Sequence, residues 1–258
     1  MADELKYNGT ELLATVASRM LEDNKSVFVG TGLPVVAGML AQKTHAPGLL
    51  IFFEAGSIGP IVPQLPISVG DSRTFYKAVA ASSMHDLMSM CQSGYADYGF
   101  LGAAQLDARG NINTTVIGDH AHPKSRLPGS GGANDVGSFA NRLLIIMRQS
   151  RRSFVEKVDF VTTPGYLSGP GAREKAGLAA GGGPYRVITQ YAVYDFEEET
   201  KRMRLRSLHP GATVEIVREN SGFDIIVPDK VAASPTPTAQ ELRLLREVID
   251  PRGIVIGK

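Results

Sequence analysis

The chain has 258 residues, 43% hydrophobic and 21% charged, enough to bury a sizeable core and too apolar to be disordered. A formal charge of +1, with Lys and Arg scattered along the chain, offers no basic field and argues against nucleic acid as a partner. The single cysteine, Cys91, excludes an intramolecular disulfide and a multi-cysteine metal site, and no run approaches the ~18 apolar residues of a membrane span.

The opening, Met1-Ala-Asp-Glu-Leu-Lys6, has acids and no apolar core, which predicts no signal peptide and a cytoplasmic protein. Asn8-Gly-Thr10-Glu11 predicts a helix start with Thr10 as N-cap, followed by Leu12, Leu13, Val16, Ala17, Met20 and Leu21 on one face. Ser26 to Val29 is a short strand running into Gly30-Thr-Gly32-Leu-Pro34, with a helix to about Gln42 and Pro34 in its first turn. This strand, Gly-x-Gly and helix resembles a dinucleotide-binding turn, but Val35 stands where the third glycine belongs. The apolar run Leu49 to Phe53 reads as a buried strand that ends in Glu54, and Gly56, Gly59 and Pro60 then turn the chain. After a Pro-rich loop to Pro66, Arg73 to Cys91 reads largely as helix, with Cys91 a core thiol.

Further along, Tyr95 to Gly102 predicts a strand and its turn, Ala104 to Thr114 a polar, turn-rich phrase, and Thr114 to Gly118 another strand. Asp119 to Ser125 reads as polar loop, and His120 and His122 there lack a third ligand for a metal. Pro128 to Asp135 is a glycine-rich turn with a helix starting near Asn134, and Arg142 to Met147 is a buried strand. Val158 to Val161 opens a short element, and the Gly, Ala and Pro-rich stretch from Thr163 to Pro184 predicts a mobile surface loop. Tyr185–Thr189, Ala192–Phe196 and Met203–Leu208 predict strands, the last two an antiparallel hairpin, and Thr238 caps a final helix to about Val248. Alternating strands and helices through residue 147 predict an α/β fold with a mostly parallel central sheet.

Three turns fall at carboxyl ends of predicted parallel strands: Gly30-Thr-Gly32, Glu54-Ala-Gly56 and Gly129-Ser-Gly-Gly132. Open α/β sheets place their chemistry there. One carboxylate among uncommitted backbone amides suits covalent catalysis, with the acid attacking a carbonyl and the amides stabilising the oxyanion. Arg151-Arg152 and Lys201 to Arg204 could meet phosphates but read equally as solvated surface, and Ser130 serves its turn.

Glu54-Ala-Gly-Ser-Ile-Gly59 and Gly129-Ser-Gly-Gly-Ala-Asn-Asp135 resemble the two signatures of the β subunit of class I CoA-transferases, nearest the glutaconate CoA-transferase branch. Thr114 to Gly118, His122-Pro-Lys, Arg126 to Gly129, Leu208 to Gly211 and the tail from Thr238 to Gly253 also match, so the resemblance covers nearly the whole chain. It implies a three-layer α/β/α CoA-transferase (NagB/RpiA-like) fold as one domain over 1–258, with a C-terminal hairpin and helix extension from about residue 185. It further implies a ping-pong transfer of CoA between an acyl-CoA and a carboxylic acid, a dicarboxylate such as glutaconate or a 3-oxoacid, through a glutamyl-CoA thioester on Glu54. Gly131, Gly132 and Ala133 would supply oxyanion amides, with Gly30, Gly32 and Gly56 lining the pocket. Coenzyme A would be substrate, no metal or permanent cofactor would be needed, and an α subunit would complete a heterodimer, an α2β2 or a larger assembly. Relatives on this fold that act as CoA-thioester hydrolases or decarboxylases alter the nucleophile position, so Glu54 favours transfer; a non-catalytic ligand-binding subunit is a further alternative.

Overall fold

The protein is described by a computed structural model over residues 6–257. The N-terminal residues on which the reading of the leader mainly rests, 1–5, lie outside the described residues. The fold is mixed α/β with a largely parallel central sheet, and the chain forms two compact units. The first takes the chain up to Phe100 and again from Pro235; the second runs from Leu101 to Ser234.

The first unit begins with helix α1 (Gly9–Ser18). Its cap is Asn8, not Thr10: Asn8 Oδ1 accepts the amides of Thr10 and Glu11 at 2.9 Å each, and Glu11 Oε2 accepts the Asn8 amide at 2.9 Å. Asn8 wins because this reciprocal capping box satisfies three donors, whereas Thr10 already lies within the helix. Strand β1 (Ser26–Phe28) is wholly buried and leads into α2 (Leu33–Lys43), which carries Pro34 in its first turn. Strand β2 (Leu50–Phe53) pairs parallel with β1, and β3 (Ser57–Ile58) and β4 (Ala80–Ala81) add antiparallel on its other side.

The long helix expected from Arg73 to Cys91 is not formed. Asp71 caps a single 3-10 turn at Ser72–Phe75, the chain then extends into β4, and α3 (Met84–Met90) starts only after Ser83, which forms its own capping box with Asp86. Leu87 and Cys91, one turn apart, are the buried face of that helix and its extension. Strand β5 (Tyr98–Leu101) pairs parallel with β1 and closes this stretch.

In the second unit, two small antiparallel pairs come first, β6 (Gln105–Leu106) with β7 (Ile112–Asn113) and β8 (Val116–Gly118) with β9 (Pro123–Arg126). The loop expected over Asp119 to Ser125 is therefore partly strand, its tip capped by Asp119, whose Oδ1 accepts the amides of Ala121 (2.8 Å) and His122 (2.9 Å). Helix α4 (Ala133–Phe139) precedes β10 (Arg142–Ile146). Val158 to Val161 has no regular structure; isolated bridges at Phe154 and Thr163 flank it instead.

The Gly-rich stretch expected to be a loose loop is pinned at its centre. Within α5 (Ala172–Lys175), the buried Arg173 guanidinium donates to the carbonyls of Pro164, Gly165 and Gly137 at 3.0, 2.9 and 3.3 Å. Strand β11 (Pro184–Ile188) pairs parallel with β10, and β12 (Ala192–Phe196) and β13 (Met203–Leu208) form the expected antiparallel hairpin. Helix α6 (Val214–Glu219) and β14 (Ala232–Ala233) complete the unit around a core that includes Leu144, Ile145, Phe154, Val187 and Tyr194.

Back in the first unit, α7 (Ala239–Arg243) is capped by Thr238 as expected and continues as a wider turn to Ile249. Two ion pairs fasten this returning segment to α1: Arg19 Nε to Glu241 Oε1 at 2.9 Å and Arg246 Nε to Glu11 Oε1 at 2.5 Å. No helix among the described residues is long and apolar enough to cross a membrane.

Candidate active site

Glu54 is the first residue after β2, whose Ile51, Phe52 and Phe53 are buried. The chain does more than turn there. It doubles back through Glu54-Ala55-Gly56 into β3, with Phe53 opposite Ser57. A three-residue hairpin loop of this kind needs a positive φ at its last position, and Gly56 supplies φ +105°. Its amide donates to Phe53 O at 2.8 Å and its carbonyl accepts the Ser82 amide at 2.9 Å. A Cβ on Gly56 would lie 2.0 Å from the Ser82 carbonyl oxygen, so no other residue fits. The buried Ser57 hydroxyl donates to the Thr74 carbonyl and fixes the far side of the loop. Glu54 itself is half-buried, and its carboxylate has no hydrogen bond or ion pair among the described residues.

The Gly30–Gly32 turn leaves the neighbouring strand at the same edge. Phe28 of β1 lies opposite Phe52 of β2, and the Val29 amide donates to Phe52 O at 3.1 Å. Gly32, at φ +81°, caps the eleven-residue α2. The amides of Gly30, Thr31 and Gly32 have no acceptor among the described residues, and a Cβ on either glycine would meet nothing within 4 Å. This is an open helix start with unspent donors, the arrangement that attracts negative charge. Val35, at the place of a third dinucleotide-turn glycine, is buried in the packed face of α2.

The second glycine turn belongs to the second unit. Gly129 is clamped by Thr114: its amide donates to Thr114 O, and Thr114 Oγ1 donates to its carbonyl, both at 2.8 Å. Ala133 N donates to Ser130 O at 2.9 Å and Asn134 N to Ser130 Oγ at 3.2 Å, so Ser130 does serve the turn. The Ala133 amide is thereby spent. Those of Gly131 and Gly132 have no acceptor among the described residues, and Gly131, at φ +47°, faces open space where a Cβ would stand. Sequence reading missed the Thr114 clamp, which joins residues fifteen apart in the chain and leaves no local signal.

His120 stacks on Phe160, with ring centroids 5.3 Å apart, and Lys201 and Arg204 pair locally with Glu198 and Asp195.

Residues 10–220 match the Coenzyme A transferase family model. The chain belongs to this family. It is a CoA-transferase, an enzyme that takes coenzyme A as a substrate. It is 37% identical to the B subunit of glutaconate CoA-transferase from Acidaminococcus fermentans, over 97% of this chain and 96% of that protein. It is 41% identical to the B subunit of 3-oxoadipate CoA-transferase from Pseudomonas knackmussii, over 93% and 92%. The crystal structure of glutaconate coenzyme A-transferase from Acidaminococcus fermentans superposes with a TM-score of 0.94 at 34% identity, covering 99% of this CoA-transferase and 100% of that chain. The resemblance carried by the two glycine signatures is thus matched along nearly the whole length.

Proposed function

We propose that this CoA-transferase is the β subunit of a heteromeric enzyme that moves CoA between an acyl-CoA and a free carboxylic acid, with Glu54 as covalent nucleophile. The observation that carries the reading is the state of Glu54: a carboxylate at a strand end in a glycine-locked hairpin, with no partner among the described residues to compete for its lone pairs.

A Glu54 carboxylate oxygen attacks the thioester carbonyl of the donor; the C–S bond breaks, CoA leaves as thiolate, and an acyl-glutamyl anhydride remains. The thiolate then attacks the Glu54 γ-carbonyl, expels the donor acid as carboxylate and leaves a glutamyl-CoA thioester. An incoming carboxylate runs the same steps in reverse and departs as the new acyl-CoA. Each addition places negative charge on a carbonyl oxygen, which uncommitted amides can stabilise. We assign that role to Gly131 and Gly132, and to the open amides of Gly30 to Gly32. Ala133 and Gly56, whose amides are spent, shape their turns instead.

The substrates of the relatives, glutaconate and 3-oxoadipate, support a dicarboxylate or 3-oxoacid acceptor, and their designation as B subunits supports an α subunit as partner. The whole chain, 1–258, acts as one functional subunit, and CoA enters and leaves without a resident cofactor. Initial rates of the co-expressed enzyme, measured against both substrates, are expected to give the parallel double-reciprocal lines of a ping-pong cycle. Glu54→Gln is expected to lose at least ~10³-fold in turnover, as loss of a covalent nucleophile does. Intersecting lines, or a Glu54→Gln enzyme within tenfold of the wild type, would sink the reading.

A further inference from the structure

The second unit holds a feature that CoA transfer on Glu54 does not use. Asp107 to Asn111 form a rigid turn: Asp107 Oδ1 accepts the amides of Arg109 (2.9 Å) and Asn111 (3.1 Å), and Oδ2 accepts Asn111 Nδ2 at 2.8 Å. The Arg109 carbonyl accepts the Tyr166 amide at 2.8 Å. Backbone and carboxylate are therefore fully engaged, and the Arg109 side chain is not. None of its five N–H donors has an acceptor among the described residues, and its Nε is shut off from water as well.

The guanidinium lies against Gly169, at φ +130°, where a Cβ would come within 3.2 Å of Nε and 3.6 Å of Nη2. A side chain at that position would push the group aside, so the glycine keeps its seat clear. Arg109 lines a bay of about 700 Å³, within the size range of small-molecule sites. Lys157, itself exposed, adds a second cation to the lining, and Val158, Val161 and Leu167 give it three apolar residues. Asp107 lines the bay but spends its oxygens inside its own turn, and Glu156 and Lys157 are both exposed, where water screens the two alike, so Arg109 carries the charge of the site.

An arginine with unspent donors and three apolar side chains lining the same bay match a carboxylate attached to a short hydrocarbon chain. We propose that this bay binds a small organic acid, the carboxylate forked by Arg109 and its chain against Val158, Val161 and Leu167. The residues lining the bay do not include Glu54, and the proposal stands whether or not the Glu54 chemistry is right.

The test titrates butyrate, glutarate and acetate into the full-length protein by calorimetry, with backbone amide shifts followed in parallel. Butyrate and glutarate are expected to bind saturably in the millimolar range and to shift the Leu167 and Gly169 amides. Acetate, which lacks the chain, should bind several-fold more weakly. Arg109→Gln should weaken binding at least tenfold; Arg109→Lys, which keeps the charge and loses the fork, should fall between the two and covers the case in which Arg109→Gln does not fold. Glu54→Gln should bind as the wild type does. No saturable binding, binding indifferent to both Arg109 variants, or binding abolished by Glu54→Gln would each overturn the proposal.

Discussion

Because the Glu54 side chain has no partner among the described residues, its replacement separates chemistry from stability: Glu54→Gln should melt within a degree or two of the parent. Gly56 behaves in the opposite way. Gly56→Ala places a side chain at φ +105° and 2.0 Å from a carbonyl oxygen, so it should cost at least ~1–3 kcal/mol in denaturant unfolding and drag activity down with it. A loss below a few tenths would mean that the loop relaxes freely. His209 offers a third residue-level test. It is buried, neither ring nitrogen has a hydrogen bond among the described residues, and burial pushes its pKa down; the nearby Thr189 backbone offsets this only in part. The unfolded chain then takes up a proton that the folded chain refuses, so stability is lost as pH falls below the ordinary histidine value of ~6.5. Melting temperatures between pH 7 and 5 should fall in the parent and fall less in His209→Met; identical slopes would contradict this. Glu54 was legible in the sequence because an acid at the end of an apolar run followed by glycine is a local pattern. That Ala133 spends its amide on Ser130 was not, since it depends on the dihedrals of a turn rather than on composition.

At the level of elements, the main strands and their helices could be read from hydrophobic runs and caps: β1, β2, β10, the β12–β13 hairpin and the Thr238 cap all stand where expected. Two-residue strands could not. β3 and β4 pair with each other across a long connection and β6 with β7 across a short turn, and sequences as brief as Ala80-Ala81 carry no strand period. The same blindness produced the overlong helix from Arg73, because Ser83 looks like any surface serine until Asp86 closes its box. The return of the C-terminal segment onto α1 was equally invisible, and it makes a prediction. Glu11 is buried and held ionised by Arg246, and Arg19 does the same for Glu241; although burial opposes it, both carboxyl pKa values end up lowered. Groups with depressed pKa contribute stability that is present above the ordinary glutamate value of ~4.3 and lost as pH falls through their lower folded values. Hydrogen exchange should show the segment from residue 235 onward loosening first on acidification. Arg246→Ala, which leaves the Glu11 carboxylate buried and unpaired, should cost about 1–3 kcal/mol at neutral pH, the arginine being partly solvated. Uniform exchange across the chain, or a neutral Arg246→Ala, would count against the clasp.

For the molecule as a whole, near-neutral charge offers little long-range attraction for a ligand as anionic as CoA. Charge and composition exclude classes but choose no chemistry; the choice rests on one carboxylate becoming covalently loaded. Intact-mass spectrometry therefore tests the central claim most directly. The chain, co-expressed with its α subunit, is incubated with glutaryl-CoA and no acceptor acid. A mass increase equal to CoA less one water, mapped by peptide analysis to Glu54 and absent from Glu54→Gln, is the predicted result. Steady release of free CoA from glutaryl-CoA with no adduct at Glu54 would contradict it and assign the site to hydrolysis.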